Sequence, residues 1–169
     1  MTNYRRNRVP GGTTFFTINL LNRRSALLVD HIASLRDAIK QTRQTHPFHI
    51  DAWVVLPDHM HALLTLPEND TDFSNRIRLI KTAFTKSLPR HPAHTPSPTA
   101  KRERSIWQRR FWEHTIRDDA DYAAHMDYIH FNPVKHAHTK IPAAWPHATF
   151  HHAVTRFLSP QAWSSTPSP

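Results

Sequence analysis

Two short strings in this chain carry residue types that can do phosphoryl chemistry together. His59-Met60-His61 sets two imidazoles two residues apart, and Tyr128 stands four residues before Asn132. In a strand, residues i and i+2 project to one side, so His59 and His61 share a face and Met60, Ala62, Leu64 and Leu66 take the opposite one, against helices. Two imidazoles so placed can hold one divalent cation. On a helix, Tyr128 and Asn132 at i and i+4 are neighbours, which puts an amide oxygen beside a phenol. A phenol has a pKa of about 10 and is a modest nucleophile. A cation that polarises a phosphate oxygen assists its attack and stabilises the charge that develops. Mixed nitrogen and oxygen ligands suit Mn²⁺, whereas Mg²⁺ prefers oxygen and binds such a set more weakly.

Each string also has a plain reading. With 15 histidines among 169 residues, about one histidine-x-histidine triplet is expected by chance. A second one, His136-Ala137-His138, is indeed present, and Pro133 with its polar surroundings assigns that one to a loop. From spacing alone, His59 and His61 are equally a pair of exposed strand histidines. Of the three tyrosines, Tyr4, Tyr122 and Tyr128, Tyr122 falls on a narrow helical stripe with Met126 and Ile129 and reads as core. Tyr128 lies roughly 120° from that stripe, on a face with Asp121, Ala124 and Asn132. It is either a ligand-facing tyrosine or an ordinary surface one.

The elements that would position these groups can be read from periodicity. Thr13 to Leu21 is β-branched and aromatic and reads as a strand. Asp30 is expected to cap a helix with Ile32, Leu35 and Ile39 on its apolar stripe. Ile50 to Leu56 and His59 to Leu66 read as two strands joined by Pro57-Asp58 in a tight hairpin. Asp72 is expected to cap a helix with Phe73, Ile77, Ile80, Phe84 and Leu88 on one stripe. Arg76, Arg78, Lys81 and Lys86 are expected mostly off that stripe, either on phosphates or in solvent. A fourth strand is expected around Phe111 to Ile116, and a helix capped by Asp118 or Asp119 running to about Phe131. Asn132 precedes Pro133, which disfavours helix beyond it. The order β-α-β-β-α-β with an additional C-terminal helix carrying the tyrosine is that of an α+β, ferredoxin-like antiparallel sheet. Residues 1–12 read as a basic arm, 13–158 as one domain with a mobile proline-rich loop at 89–105, and 159–169 as a frayed tail.

Lysine and arginine number 22 against 13 acidic residues, a net charge of +9, which suits a polyanionic partner such as nucleic acid. The arm residues Arg5, Arg6 and Asn7, the helix residues Arg76 and Lys81, and Arg109-Arg110 are the candidate phosphate contacts. Trp112, or Trp107, is a candidate platform for an unpaired base, with core packing the alternative for at least one of them. Cysteine is absent, which removes disulfides and thiolate metal sites and fits a reducing cytoplasm. Met1 to Arg6 lacks the apolar core of a signal peptide, and no apolar run approaches the ~20 residues of a membrane span.

Three strings go beyond chemistry by type. Val55-Leu56-Pro57-Asp58-His59-Met60-His61, Trp107-Gln108-Arg109-Arg110-Phe111-Trp112-Glu113-His114 and Tyr128-Ile129-His130-Phe131-Asn132-Pro133-Val134-Lys135-His136 resemble signatures of the REP-associated tyrosine transposases, HUH-type relatives of the IS200/IS605 transposases. The opening from Arg5 through Pro10-Gly11-Gly12 to Phe16 is similar as well, so the resemblance spans roughly residues 4–163. It implies a divalent metal, Mg²⁺ or Mn²⁺, held by His59, His61 and Asn132. It implies that Tyr128 forms a 5′-phosphotyrosine and leaves a free 3′-OH. The implied partner is single-stranded DNA folded as a repetitive extragenic palindrome hairpin with a 5′ flanking tetranucleotide. The implied setting is the bacterial cytoplasm, at the nucleoid, as a monomer or dimer. Ala137 departs from the glycine that the third signature would carry. The competing classes are a hairpin-binding protein of the same descent that does not cut, and a metal-dependent hydrolase of small phosphoesters, which would not need the basic faces.

Overall fold

A computed structural model describes residues 6–89 and 106–151. Tyr4, Arg5, nearly all of the 89–105 loop and the tail from 152 onward, with their expected roles, lie outside the described residues. The strands are β1 (Thr13–Asn19), β2 (His49–Val55), β3 (His59–Thr65) and β4 (Trp112–Thr115). The helices are α1 (Leu27–Asp30), α2 (Ile32–Thr45), α3 (Phe73–Ser87) and α4 (Asp119–Lys135), followed by a 3-10 turn at Pro142–Ala144. The strands form one antiparallel sheet in the order β2-β3-β1-β4. This is the expected ferredoxin-like arrangement with the additional helix, α4, after it. No helix among the described residues is long and apolar enough to cross a membrane.

The sheet is covered on both faces, and alternation along the strands sorts the residues. Phe16, Ile18, Met60, Ala62 and Leu64 pack with Leu35 of α2 and Ile77, Ile80 and Phe84 of α3. Phe15, Ala52, Val54 and Leu63 pack with Ile129 of α4. In β2 the alternation slips by one residue, at a bulge between Ile50 and Ala52. The extra residue is Asp51, whose carboxylate accepts hydrogen bonds from Thr65 (2.7 Å) and from the Tyr122 hydroxyl (2.9 Å). Without the bulge, Ile50 and Ala52 would face the same side; with it, Ile50 joins the α2/α3 core and Ala52 the α4 core.

Several boundaries differ from expectation for identifiable reasons. Asp30 ends the short α1 instead of capping α2, whose first turn follows His31 with no side-chain cap. Asp72 and Asp118 do cap α3 and α4, each carboxylate accepting from the backbone N–H three residues on. Helix α4 continues through Pro133 to Lys135. A proline inside a helix removes the donor for the carbonyl four residues back and crowds that carbonyl with its ring, here that of Ile129, and the helix ends two residues later. Beyond the helix, Ala137 takes a left-handed φ of 57°, the conformation glycine supplies most readily after a helix C-terminus. The departure from the expected glycine therefore falls on a strained position.

Candidate functional site

The face of the sheet under α4 collects the expected chemical groups. The β1–β3 register places Thr17 opposite His61 and Asn19 opposite His59. Both histidines are buried on this face, their ring centroids 5.0 Å apart. His59 Nδ1 donates to the Asp58 carboxylate at 2.7 Å, and His61 Nδ1 shares a 2.9 Å hydrogen bond with the Thr17 hydroxyl. With Nδ1 occupied on each ring, Nε2 is the nitrogen left for a ligand. Burial, followed by the neighbouring His59, pushes the His61 imidazole down to about 3, and burial lowers His59 as well. Both rings are thus neutral at physiological pH, the form that binds a cation.

Helix α4 supplies the phenol and the amide. The Tyr128 ring meets His61 edge to face at 5.2 Å and remains 39% exposed. Asn132, one turn further on, is 0% exposed, and neither its amide oxygen nor its nitrogen has a hydrogen-bond partner among the described residues. A buried amide without partners costs about 1–3 kcal/mol, so an oxygen-seeking group at this position accounts for it. The donor set of two imidazole nitrogens and one amide oxygen suits a divalent cation with positions left open. Tyr122 behaves differently: it packs on the Phe15 core and bonds Asp51, and burial, then the Asp51 charge, raises its phenol above the usual range.

Other groups were not singled out from spacing. His136, the C-cap of α4, brings its ring within 5.2 Å of the His59 ring; it is i+4 from Asn132 and i+8 from Tyr128, a stripe that ending the helix before Pro133 concealed. Lys135 holds its ammonium 5.1 Å from the Tyr128 ring centroid. Arg23 pairs with Asp58 at 2.8 Å and also bonds Asn19, a long-range meeting that no local pattern announces. Next to them, His114, Asp121 and His125 bring three ligand-type atoms within 4.8 Å of one another. Arg117 also reaches the Asp121 carboxylate, and His114 first, with Arg117, holds that group down to about 2.

The expected DNA contacts divide. Arg109 and Arg110 are exposed, and Trp112 is 55% exposed on the site face. Trp107 packs instead against Phe84 and donates to Thr85. Lys81 donates to the Gln108 carbonyl at 2.8 Å and, with Arg78, Lys86 and Arg109, lines a groove between α3 and the segment before β4. Asn7 is exposed. Arg6 is engaged within the fold, bonding Ser74, pairing with Glu113 and lying over the Phe111 ring. Arg76 must be corrected outright. It is 3% exposed, donates to the His46, Pro47 and Asp72 carbonyls, and pairs with Asp70 at 2.6 Å. At i+3 from Phe73 and i−4 from Ile80 it lies on the buried side of α3, tying the helix to the α2–β2 turn.

A family model described as "Transposase IS200 like" matches residues 14–132, a span that takes in the histidine pair, Tyr128 and Asn132. The chain belongs to this family. The IS200-like transposase is 49% identical over 164 residues to the REP-associated tyrosine transposase of Escherichia coli K12, covering 97% of this chain and 92% of that one. A Haemophilus influenzae protein assigned to the same group is 46% identical over 168 residues, covering 99% and 96%. A solved structure described as a REP-associated tyrosine transposase bound to a REP hairpin superposes with a TM-score of 0.85 at 47% identity. It covers 100% of this chain and 94% of that one. These likenesses place the protein among the transposase enzymes, with the fold expected of them.

Proposed function

We propose that this transposase cuts single-stranded DNA beside a hairpin and transfers the cut strand, with Tyr128 as nucleophile. The observation that carries the reading is the pairing on one sheet face of an accessible phenol, Tyr128, with the buried, partnerless amide of Asn132 one helical turn away and the neutral imidazole of His61 against the phenol. A divalent cation held by His59, His61 and Asn132 would polarise a non-bridging phosphate oxygen and offset the charge that builds on it. Asp58 and Thr17 orient the two imidazoles. The Tyr128 oxygen forms a bond to phosphorus as the bond from phosphorus to the 3′-oxygen breaks. The phenolic proton passes to solvent, and the departing oxygen takes one up to become a free 3′-OH. The 5′-phosphate stays on Tyr128 as a diester, so a later attack by a 3′-OH rejoins a strand without outside energy.

The hairpin part of the reading is supported by the solved relative, which is described with a REP hairpin bound, and by the net charge of +9. Arg109, Arg110 and the cationic groove along α3 supply phosphate contacts outside the chemistry. The test is incubation with a single-stranded hairpin oligonucleotide carrying an unpaired 5′ flank and Mn²⁺, followed by a denaturing gel. A protein–DNA adduct and a shortened strand are expected. Tight binding with neither product would leave a hairpin-binding protein that does not cut.

A further inference from the structure

We infer that Trp112 is a stacking subsite for one unpaired nucleobase lying within about three nucleotides of the scissile phosphate. The inference rests on the DNA reading above and says which part of the strand is gripped. Trp112 and His114, two apart on the edge strand β4, project to the site face with their rings nearly parallel, 7° apart at 6.1 Å. His125 of α4 stacks on His114 at 4.7 Å and 13°. The result is a row of three flat rings. Asp121 fixes the inner two, its carboxylate accepting from His114 Nε2 at 2.8 Å and its backbone carbonyl from His125 Nδ1 at 2.8 Å.

The same atoms have the composition of a metal site, but they are already taken up within the cluster. His114 Nε2 and Arg117 share the Asp121 carboxylate, and His125 Nδ1 donates to the Asp121 backbone carbonyl at 2.8 Å. The cluster acts as a clamp on the row of rings. The outermost ring, Trp112, has more than half of its surface open at 55%. A large aromatic held flat at a strand edge, preceded by the exposed Arg109 and Arg110, has the two components of a single-strand grip, a π-face for a base and cations for its phosphates.

The position is what ties this subsite to the chemistry. Buried Phe15 meets Trp112 edge to face at 5.7 Å and Tyr128 edge to face at 5.7 Å. The centroids of the two exposed rings therefore lie within twice that distance of each other, both against one buried ring. A stacked strand rises about 3.4 Å per nucleotide, so a strand whose phosphate sits at Tyr128 reaches Trp112 with a base no more than about three nucleotides away. Stacking is tolerant of base identity, so the subsite sets the position of the cut along the strand.

The test uses full-length protein carrying Tyr128→Phe, so that the DNA stays intact, and hairpin oligonucleotides with a single 2-aminopurine at each unpaired flank position in turn. Quenching of its fluorescence on binding is expected at one or two adjacent positions. Adding Trp112→Ala should abolish the quenching there and weaken binding about tenfold. Adding Trp112→Phe should keep both effects largely intact. Trp112→Leu, which keeps apolar bulk but no π-face, should behave as alanine. Quenching that survives Trp112→Ala at every position, or a leucine variant equal to wild type, overturns the subsite. If the Tyr128→Phe protein shows no affinity for any hairpin, the DNA reading itself fails and the subsite with it.

Discussion

His59 and Asp58 are adjacent in sequence and bonded in space: the carboxylate takes the Nδ1 proton of the imidazole at 2.7 Å. That bond fixes the ring and turns Nε2 toward the site. If the ring holds a cation, a partner of this kind governs affinity without touching the ion. Asp58→Asn should weaken Mn²⁺ binding about 10–100-fold, read by calorimetric titration, while hairpin affinity without metal stays within about threefold. His59→Ala should remove cleavage altogether. Full cleavage by His59→Ala at saturating Mn²⁺ would end the metal-site proposal.

Arg76 sits in the fold as a buried clasp, and its removal tests that placement. Arg76→Ala removes the donor shared by the His46, Pro47 and Asp72 carbonyls and the Asp70 carboxylate. A loss of roughly 2–3 kcal/mol is expected, seen as a fall in Tm of about 5–10 °C. The salt dependence of DNA affinity should not change. Arg109→Ala and Arg110→Ala should show the reverse pattern, with stability held and each salt slope reduced by about 0.7. A lowered salt slope in Arg76→Ala would return that residue to the DNA surface.

Ala137 pays for a left-handed backbone that a glycine would adopt freely. Ala137→Gly should stabilise the protein by about 0.5–1 kcal/mol, measured by urea denaturation. The gain should come without any change in cleavage rate, because the turn follows the helix that carries Tyr128. A destabilised glycine variant would mean that the φ of 57° is not strained here.

How legible the site was depended on the range of the interactions. The shared face of His59 and His61 follows from a period of two, and the separation of Tyr122 from Tyr128 from a period of 3.6. Both were readable because they are local geometry. Arg76 is not legible in the sequence, because a buried arginine satisfied by carbonyls looks there like any exposed one beside an apolar stripe. The end of α4 is not legible because proline lowers the odds of helix without forbidding it; His136 to His138 do form the expected turn, but the longer helix carries His136 back to His59. The bulge at Asp51 and the reach of Arg23 to Asp58 depend on pairing between distant segments, which no window of the sequence contains.

Burial of neutral histidines makes metal-free protein sensitive to acid. His61 is pushed down to about 3 and His130 to about 4, each chiefly by burial, against about 6.5 in the unfolded chain. Between those values the unfolded state binds more protons, so stability is present above pH ~6.5 and is lost as pH falls toward the folded values. Each group contributes a slope of up to about 1.4 kcal/mol per pH unit. Denaturation in EDTA from pH 7 to 4.5 should show this fall, and His130→Leu should flatten part of it. A wild-type stability that does not change over that window would contradict the burial of these rings in neutral form.

Tyr128 and Tyr122 lie on one helix and point in different directions, and that difference is the sharpest test of the site. Tyr122 has its hydroxyl bound to Asp51 and its ring in the Phe15 core. Tyr122→Phe should cost about 1 kcal/mol of stability for the lost hydrogen bond and leave adduct formation unchanged. Tyr128→Phe should fold and bind the hairpin as wild type does, because its ring still packs on Phe15 and His61. It should form no adduct, since a phenyl ring has no nucleophile, and no amount of Mn²⁺ should restore one. Asn132→Ala keeps the phenol and removes an amide oxygen, so its cleavage should be lost at low Mn²⁺ and partly recovered at high Mn²⁺. It should also be no less stable than wild type in the absence of metal, because the amide it removes has no partner among the described residues. Peptide mapping of the trapped adduct decides the matter: DNA on the peptide containing Tyr128 is expected, and DNA on Tyr122 or Tyr4 would overturn the assignment of the nucleophile.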